Sequence, residues 1–380
     1  MLYEIMRILC RKYRKETVNS IKIPYGILGK KSKDILMPRL KFLFALSALI
    51  LSSLACVTLF GEKSASSGMM PGMAIPPTAT PEALSCPLIT NQIVDQNATM
   101  DLSNQLPLDV VNSSIDSGDE TIYLVTYTVD GNEIRDPYFE QDVPADLVDE
   151  QNDTALHQQL WEYFSTVIPL EARPTLAEFS IMTDGTDNVL AAVAQTYDDP
   201  NRWSLEVDVA DVSDYYYLTF TLVHEYAHLL TLGPDQVPPS LAVFNNPDDS
   251  DLYLQEVAAC VTFFPGEGCS NPDSYMNAFY DQFWTDIYDE WNTINAEEDE
   301  DRYYEKLDDF YSKYEDQFLT DYSVTHPAED IAEAFGFFVF ADKPDSSTIA
   351  EQKILFFYQY PELVDLRTKI LNNVCLNFPQ

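Results

Sequence analysis

The sequence predicts an α+β fold, with a small N-terminal mixed sheet and its helices followed by a mainly helical C-terminal half. Three observations carry this. Between Thr121 and Val209, short β-branched and aromatic runs recur between turn residues. The stretch leading to Gly233-Pro234 is apolar almost all round, as in a central, buried helix. Beyond it, apolar residues recur at helical rather than alternating spacing as far as Val374.

The 380 residues are 46% apolar and 13% aromatic, ample for a sizeable core and incompatible with disorder of the bulk. Acidic residues number 62 against 22 basic ones. Residues 1–56 carry 11 of the bases and only 3 of the acids, which leaves the remainder at a net charge of −48. Such a surface repels phosphate backbones and excludes nucleic acid as a partner class. Cationic peptides, metal ions or a salty medium suit it, and acidity also keeps an exported protein soluble.

Phe42 to Phe60 is the only long apolar run, and Arg39 and Lys41 precede it, the layout of a secretory signal peptide. Its end, Leu51-Ser52-Ser53-Leu54-Ala55-Cys56, resembles the signal of bacterial lipoproteins, in which the cysteine becomes the lipidated first residue. Ser53 stands where that family usually has leucine, and Ser53-Leu54-Ala55 also suits ordinary signal peptidase. An uncleaved anchor is the third option, since the run almost spans a bilayer. The expected organisation is an upstream extension (1–36), a signal peptide (37–55), a Ser/Pro/Thr-rich tether (56–85) and a folded domain (86–380). That domain divides into an α/β part (86–212) and a helical part (213–380). The expected location is extracytoplasmic, at a bacterial cell surface or secreted, with lipid at Cys56 or a signal anchor as the membrane contact. If Cys56 carries lipid, Cys86, Cys260, Cys269 and Cys375 remain in the exported part, which suits two disulfides. Cys260–Cys269 with Cys86–Cys375 is the expected pairing, one of three possible.

Within the domain, Thr121–Asp130 reads as a strand followed by an Asp130-Gly131 turn. Leu156, Leu160, Tyr163 and Phe164 mark a helix over Thr154–Val167. Ala177–Met182 and Leu190–Tyr197 are further strands. Trp203, Leu205, Val207 and Val209 alternate with Ser204, Glu206, Asp208 and Ala210, which predicts a half-buried strand. Ser213 or Asp214 caps the next helix, and Gly233-Pro234 ends it. Met276, Phe279, Phe283 and Ile287 form one later stripe; Tyr303, Leu307, Phe310, Tyr314 and Phe318 form another. A helix starts near Pro327, and two more fill Ser346–Val374.

The buried helix carries His224-Glu225-Tyr226-Ala227-His228, an H-E-x-x-H motif in a chain with only four histidines. Residues four apart share one helix face, so both imidazoles can bind a single Zn²⁺, which takes neutral imidazole nitrogen well. A catalytic site needs three protein ligands and an open position for water, and Glu225 beside the first ligand is placed as general base. The third ligand lies elsewhere. Thr231 and Pro234 stand where a metzincin has glycine and histidine, which removes that class. A glutamate from a later helix is the alternative, and Glu256, Glu329 and Glu333 compete for it. Glu329 is preferred: Pro327 suits a first helical turn, where the dipole favours acids, and Glu329 and Glu333 share one face. Glu333 can then support a ligating histidine from behind, and the small Ala332 and Gly336 permit close packing on the motif helix.

The stretch Tyr322-Ser-Val-Thr-His-Pro-Ala-Glu329-Asp-Ile-Ala-Glu333-Ala-Phe resembles the zinc-site helix of the anthrax lethal factor-like metallopeptidases, which include the Pro-Pro endopeptidases. The resemblance covers two short blocks and implies a zincin-like fold, Glu329 as third ligand and Tyr322 as hydrogen-bond donor to the developing oxyanion. The 100 residues between His228 and Glu329 exceed what the compact members of that family have. The expectation is an extracytoplasmic zinc peptidase acting on a peptide or protein substrate. Its strand Trp203–Val209 is expected to align that substrate by strand addition. The rival expectation is a surface-anchored binding or adhesion module with a structural zinc or none.

Other residues are assigned plainer roles. His326 reads as a capping or surface residue with a substrate contact as the alternative, and His157 as structural. Tyr215, Tyr216 and Tyr217 read as core packing, and the acidic groups Asp248–Asp251 and Glu297–Asp301 as solvated loops.

Overall fold

The structure, a computed structural model, describes residues 84–98, 121–185, 189–297 and 299–379, all within one compact unit. The upstream extension, the signal peptide, Cys56 and nearly all of the tether lie outside the described residues.

The first helix among the described residues is α1 (Pro87–Ala98). Strand β1 (Ile122–Asp130) turns at Gly131, whose φ of 66° favours glycine, into β2 (Glu133–Phe139). The sequence reading missed β2. It is an edge strand, mostly exposed and containing Pro137, so it lacks the alternation that marks a half-buried strand. Helices α2 (Val148–Asn152) and α3 (Thr154–Val167) follow, the latter capped by Asp153 accepting from the Leu156 amide. Then come β3 (Leu176–Thr183), β4 (Ala191–Gln195) and β5 (Trp203–Asp208). The five strands form one sheet in the order β2-β1-β3-β5-β4. Only β3 and β5 pair parallel; the other pairs are antiparallel. The sheet is therefore mixed, as predicted.

The strand from Trp203 departs from expectation in two ways. All six residues of β5 are buried, polar ones included. Ser204 hydrogen-bonds Ser180 (3.3 Å), Glu206 accepts from the Tyr123 hydroxyl (2.8 Å), and Asp208 accepts from the amides of Asp184 (2.9 Å) and Ala210 (2.7 Å). Alternation reported two chemically different faces, and the polar one is satisfied by partners within the protein. Moreover, β5 lies between β3 and β4 with both edges paired, so it cannot accept an added strand. The edge on that side of the sheet is β4.

Helix α4 (Tyr215–Leu232) packs against β4 and α1. Asp214 caps it, accepting from the Tyr216 and Tyr217 amides, and Gly233 follows its last turn. The three adjacent tyrosines at its start pack against the core. After the short α5 (Leu241–Phe244) and α6 (Ser250–Ala259) come α7 (Tyr275–Phe283), α8 (Tyr288–Asn295) and α9 (Glu300–Lys313). Met276, Phe279, Phe283 and Ile287 are buried, as are Tyr303, Leu307, Phe310 and Phe318. Helix α10 (Pro327–Phe340) is buried along its whole length and packs on α4. There Gly336 approaches so closely that an added Cβ would lie 2.6 Å from Cζ of Phe220. Helices α11 (Ile349–Phe357) and α12 (Pro361–Asn377) complete the chain.

Disulfides join Cys86 to Cys375 and Cys260 to Cys269. Among the described residues no helix is long and apolar enough to cross a membrane.

Candidate metal centre

The two histidines of α4 stand one turn apart on the face turned to α10, and α10 brings Glu329 against them. His224 Nε2 lies 3.0 Å from Glu329 Oε2, His228 Nε2 lies 3.3 Å from the same oxygen, and the two Nε2 atoms are 3.2 Å apart. Ligand atoms at zinc-like bonds of about 2.0–2.1 Å in a tetrahedron are separated by about 3.3–3.4 Å, so this triangle fits a small divalent cation. The His224, His228 and Glu329 group can hold a metal ion. All three residues are buried, as a low-dielectric centre requires.

Behind the triangle, His224 Nδ1 donates to Glu333 Oε1 at 3.0 Å. Glu333 Oε2 accepts in turn from Asn97 Nδ2 (3.1 Å) on α1 and from Thr320 Oγ1 (2.8 Å). Glu333, on α10, is thus held by α4, by α1 and by the segment that precedes α10. Asn97 and Thr320 had no sequence signal: the first lies 236 residues from its partner, and single hydroxyls and amides are too common to mark a site.

Electrostatics favours positive charge at the triangle. Burial alone would push the His224 imidazole down, but the hydrogen-bonded carboxylates of Glu329 and Glu333 outweigh it and hold it up at about 10. Burial likewise opposes the charged form of Glu329, yet the His228 charge and the bonds from both histidines keep that carboxyl well below its usual range. A cation at this point would replace the proton on His224, the usual exchange on metal binding.

Glu225 is buried, and burial raises its carboxyl above the ordinary value; the nearby histidines oppose this and Glu329 adds to it. Tyr322 lies in a 3₁₀ turn just before α10, its ring centroid 5.9 Å from that of His224. Its phenol is pushed well above the ordinary value by burial first and then by the charges of Glu329, Glu225 and Glu333. His326 is the N-cap of α10: its Nδ1 accepts from the Ala328 amide at 3.0 Å. That bond leaves the ring proton on Nε2, and burial pushes the imidazole down to about 4.

The remaining candidates lie elsewhere. Glu256 accepts from the Ser240 hydroxyl at 2.8 Å and is not among the converging ligand atoms. His157 is buried between the Tyr127 hydroxyl and the Glu150 carbonyl, both at 2.9 Å. Asp249 and Asp299 cap helices, and Glu297 pairs with Lys306 and Arg302. Asp184, Asp208 and Asp211 converge at the end of β5, where Asp208 accepts backbone amides.

One buried acid carried no sequence signal. Glu267 is only 4% exposed, and among the described residues no other residue hydrogen-bonds its carboxylate oxygens. Burial raises its carboxyl to about 7; its own amide and His228 oppose this, and Glu329 adds to it. An isolated acid between two glycines reads in sequence as a turn, and here it turns inward.

Compared with known proteins, the chain matches no family model, no characterised protein and no solved structure.

Proposed function

We propose that this chain is a zinc-dependent peptidase working outside the cytoplasm. The observation that carries the reading is the convergence of His224 Nε2, His228 Nε2 and Glu329 Oε2 to within 3.3 Å of one another. Those three residues would hold the metal. When bound, Zn²⁺ supplies Lewis acidity and a water that ionises near neutral pH. Glu225, with its carboxyl raised by burial, takes the proton of the attacking water and passes it to the departing amine. The water oxygen ends on the carbonyl carbon as the C–N bond breaks, giving a carboxylate and an amine. Tyr322 stays protonated throughout and donates a hydrogen bond to the carbonyl oxygen as negative charge develops there.

An extended peptide would align on the edge strand β4, which packs against α4, by main-chain pairing. The net charge of −40 favours cationic peptides. Two disulfides suit an oxidising compartment, and the N-terminal signal with lipid at Cys56 would place the domain there.

Purified protein and a mixed peptide library test the reading. Glu225→Gln should keep stoichiometric zinc while cleavage falls by about 10²–10⁴-fold. Glu329→Ala should weaken zinc binding far more than Glu256→Ala, and the reverse order would overturn the ligand assignment. Stoichiometric zinc in a wild type that cleaves no peptide would favour a binding or adhesion module instead.

A further inference from the structure

Beside the third candidate ligand, the first turn of α10 carries another acid that meets different neighbours. Asp330 is 0% exposed and pairs with Lys353 of α11, also 0% exposed, whose Nζ lies 2.6 Å from Asp330 Oδ2. The same oxygen accepts from Trp284 Nε1, at the end of α7, at 2.8 Å. The ammonium also stands over the ring of Phe318, 4.1 Å from its centroid. Phe318 lies two residues before Thr320, whose hydroxyl donates to Glu333 (2.8 Å), and four before Tyr322. One buried cation therefore joins the turn that carries Glu329 to the segment that carries Tyr322.

A buried ion pair is a poor source of stability. Desolvation consumes most of its attraction, and apolar residues of similar volume often do as well or better. What such a pair supplies is one geometry, because a buried charge that loses its partner is costly. Successive residues of a helix project about 100° apart. Holding Asp330 against α11 and α7 therefore fixes the direction in which Glu329 leaves α10 toward α4. The His224 ring is held from behind by Glu333, whereas the direction of Glu329 depends on the turn on which it stands.

We propose that the Lys353–Asp330 pair positions the third metal ligand, setting the rotation of the first turn of α10 so that Glu329 meets both histidines. The inference rests on the metal-site reading above. It gives a role to a lysine enclosed by the rings of Phe279, Phe283, Trp284 and Phe318.

The test uses Zn²⁺ alone, in competition with a chromophoric chelator, on the double variant Asp330→Asn, Lys353→Met. Asparagine still accepts from Trp284 and methionine fills the space of the lysine stem. The urea midpoint of the zinc-free protein should therefore stay near that of the wild type. Zinc binding should nevertheless weaken about 10-fold, as when a ligand loses its outer support, and the visible bands of the Co²⁺-loaded protein should shift. In a Glu329→Ala background the same two substitutions should cost no further affinity, because the ligand they act through is gone. Unchanged zinc affinity and cobalt bands in the folded double variant would overturn the proposal. An equal further loss in the Glu329→Ala background would overturn it too, by making the pair a support of the fold alone. Should the double variant fail to fold, Asp330→Asn alone decides by the same readings. Failure of the wild type to bind zinc would instead sink the metal-site reading, and this proposal with it.

Discussion

Burial sets the protonation of side chains outside the candidate metal centre too, and His157 gives a pH signature that can be isolated. Burial pushes its imidazole below the ordinary 6.5, while its bonds to Tyr127 and Glu150 suit the neutral ring. As pH falls below that value the unfolded chain takes up the proton first. Stability present above about 6.5 is therefore lost progressively toward the lower, folded value. The stability advantage of the wild type over His157→Gln, from urea unfolding, should shrink between about pH 7.5 and about pH 5.5. A constant advantage would mean that His157 does not titrate between the two states. At this scale the sequence was informative where geometry is local. His224, Glu225 and His228 could be placed because four residues of helix make one turn, and Glu329 because a proline and two acids mark a helix start. Asn97 and Thr320 could not, because what brings each to the site is the path of the chain between.

At the scale of elements, the centre is a contact between α4 and α10, and its spacing depends on what the two helices lack. Gly336 lets Phe220 press into α10, where an added Cβ would meet Cζ at 2.6 Å. Phe220 itself is 1% exposed and packs edge-on to Phe337, so it has little room to move. Alanine normally stabilises a helix interior relative to glycine by about 1 kcal/mol. Gly336→Ala is expected to do the opposite, costing about 1–3 kcal/mol from overpacking and weakening zinc binding as His224 and Glu329 part. Denaturant unfolding together with chelator competition checks this; a stabilised variant with unchanged affinity would refute the close packing. The striped helices and the capped α4 were legible because their apolar faces repeat at helical period. Strand β2 and the short α5 and α6 were not, since α5 and α6 bury no residue fully and β2 lies at an exposed edge. That β5 is an inner strand and β4 the edge follows from strand order, which the sequence of one strand does not encode.

Over the whole molecule, Cys86–Cys375 ties the start of α1 to α12 across 289 residues of chain. A crosslink over so long a loop restricts the unfolded chain, and its removal from an exported domain typically costs about 2–5 kcal/mol. Cys86→Ser should lower the melting temperature and abolish most of its sensitivity to reductant. Equal melting of variant and wild type under oxidising conditions would show that the bond contributes nothing. The crosslink also bears on the centre, because the helix it secures is the one that carries Asn97 to Glu333. A fragment cut to begin after Ala98 would keep every residue of both sequence blocks and still lose a support of the His224 ring. The working boundary of this domain is thus set by an amide more than a hundred residues upstream of the first histidine of the motif, not by the motif itself.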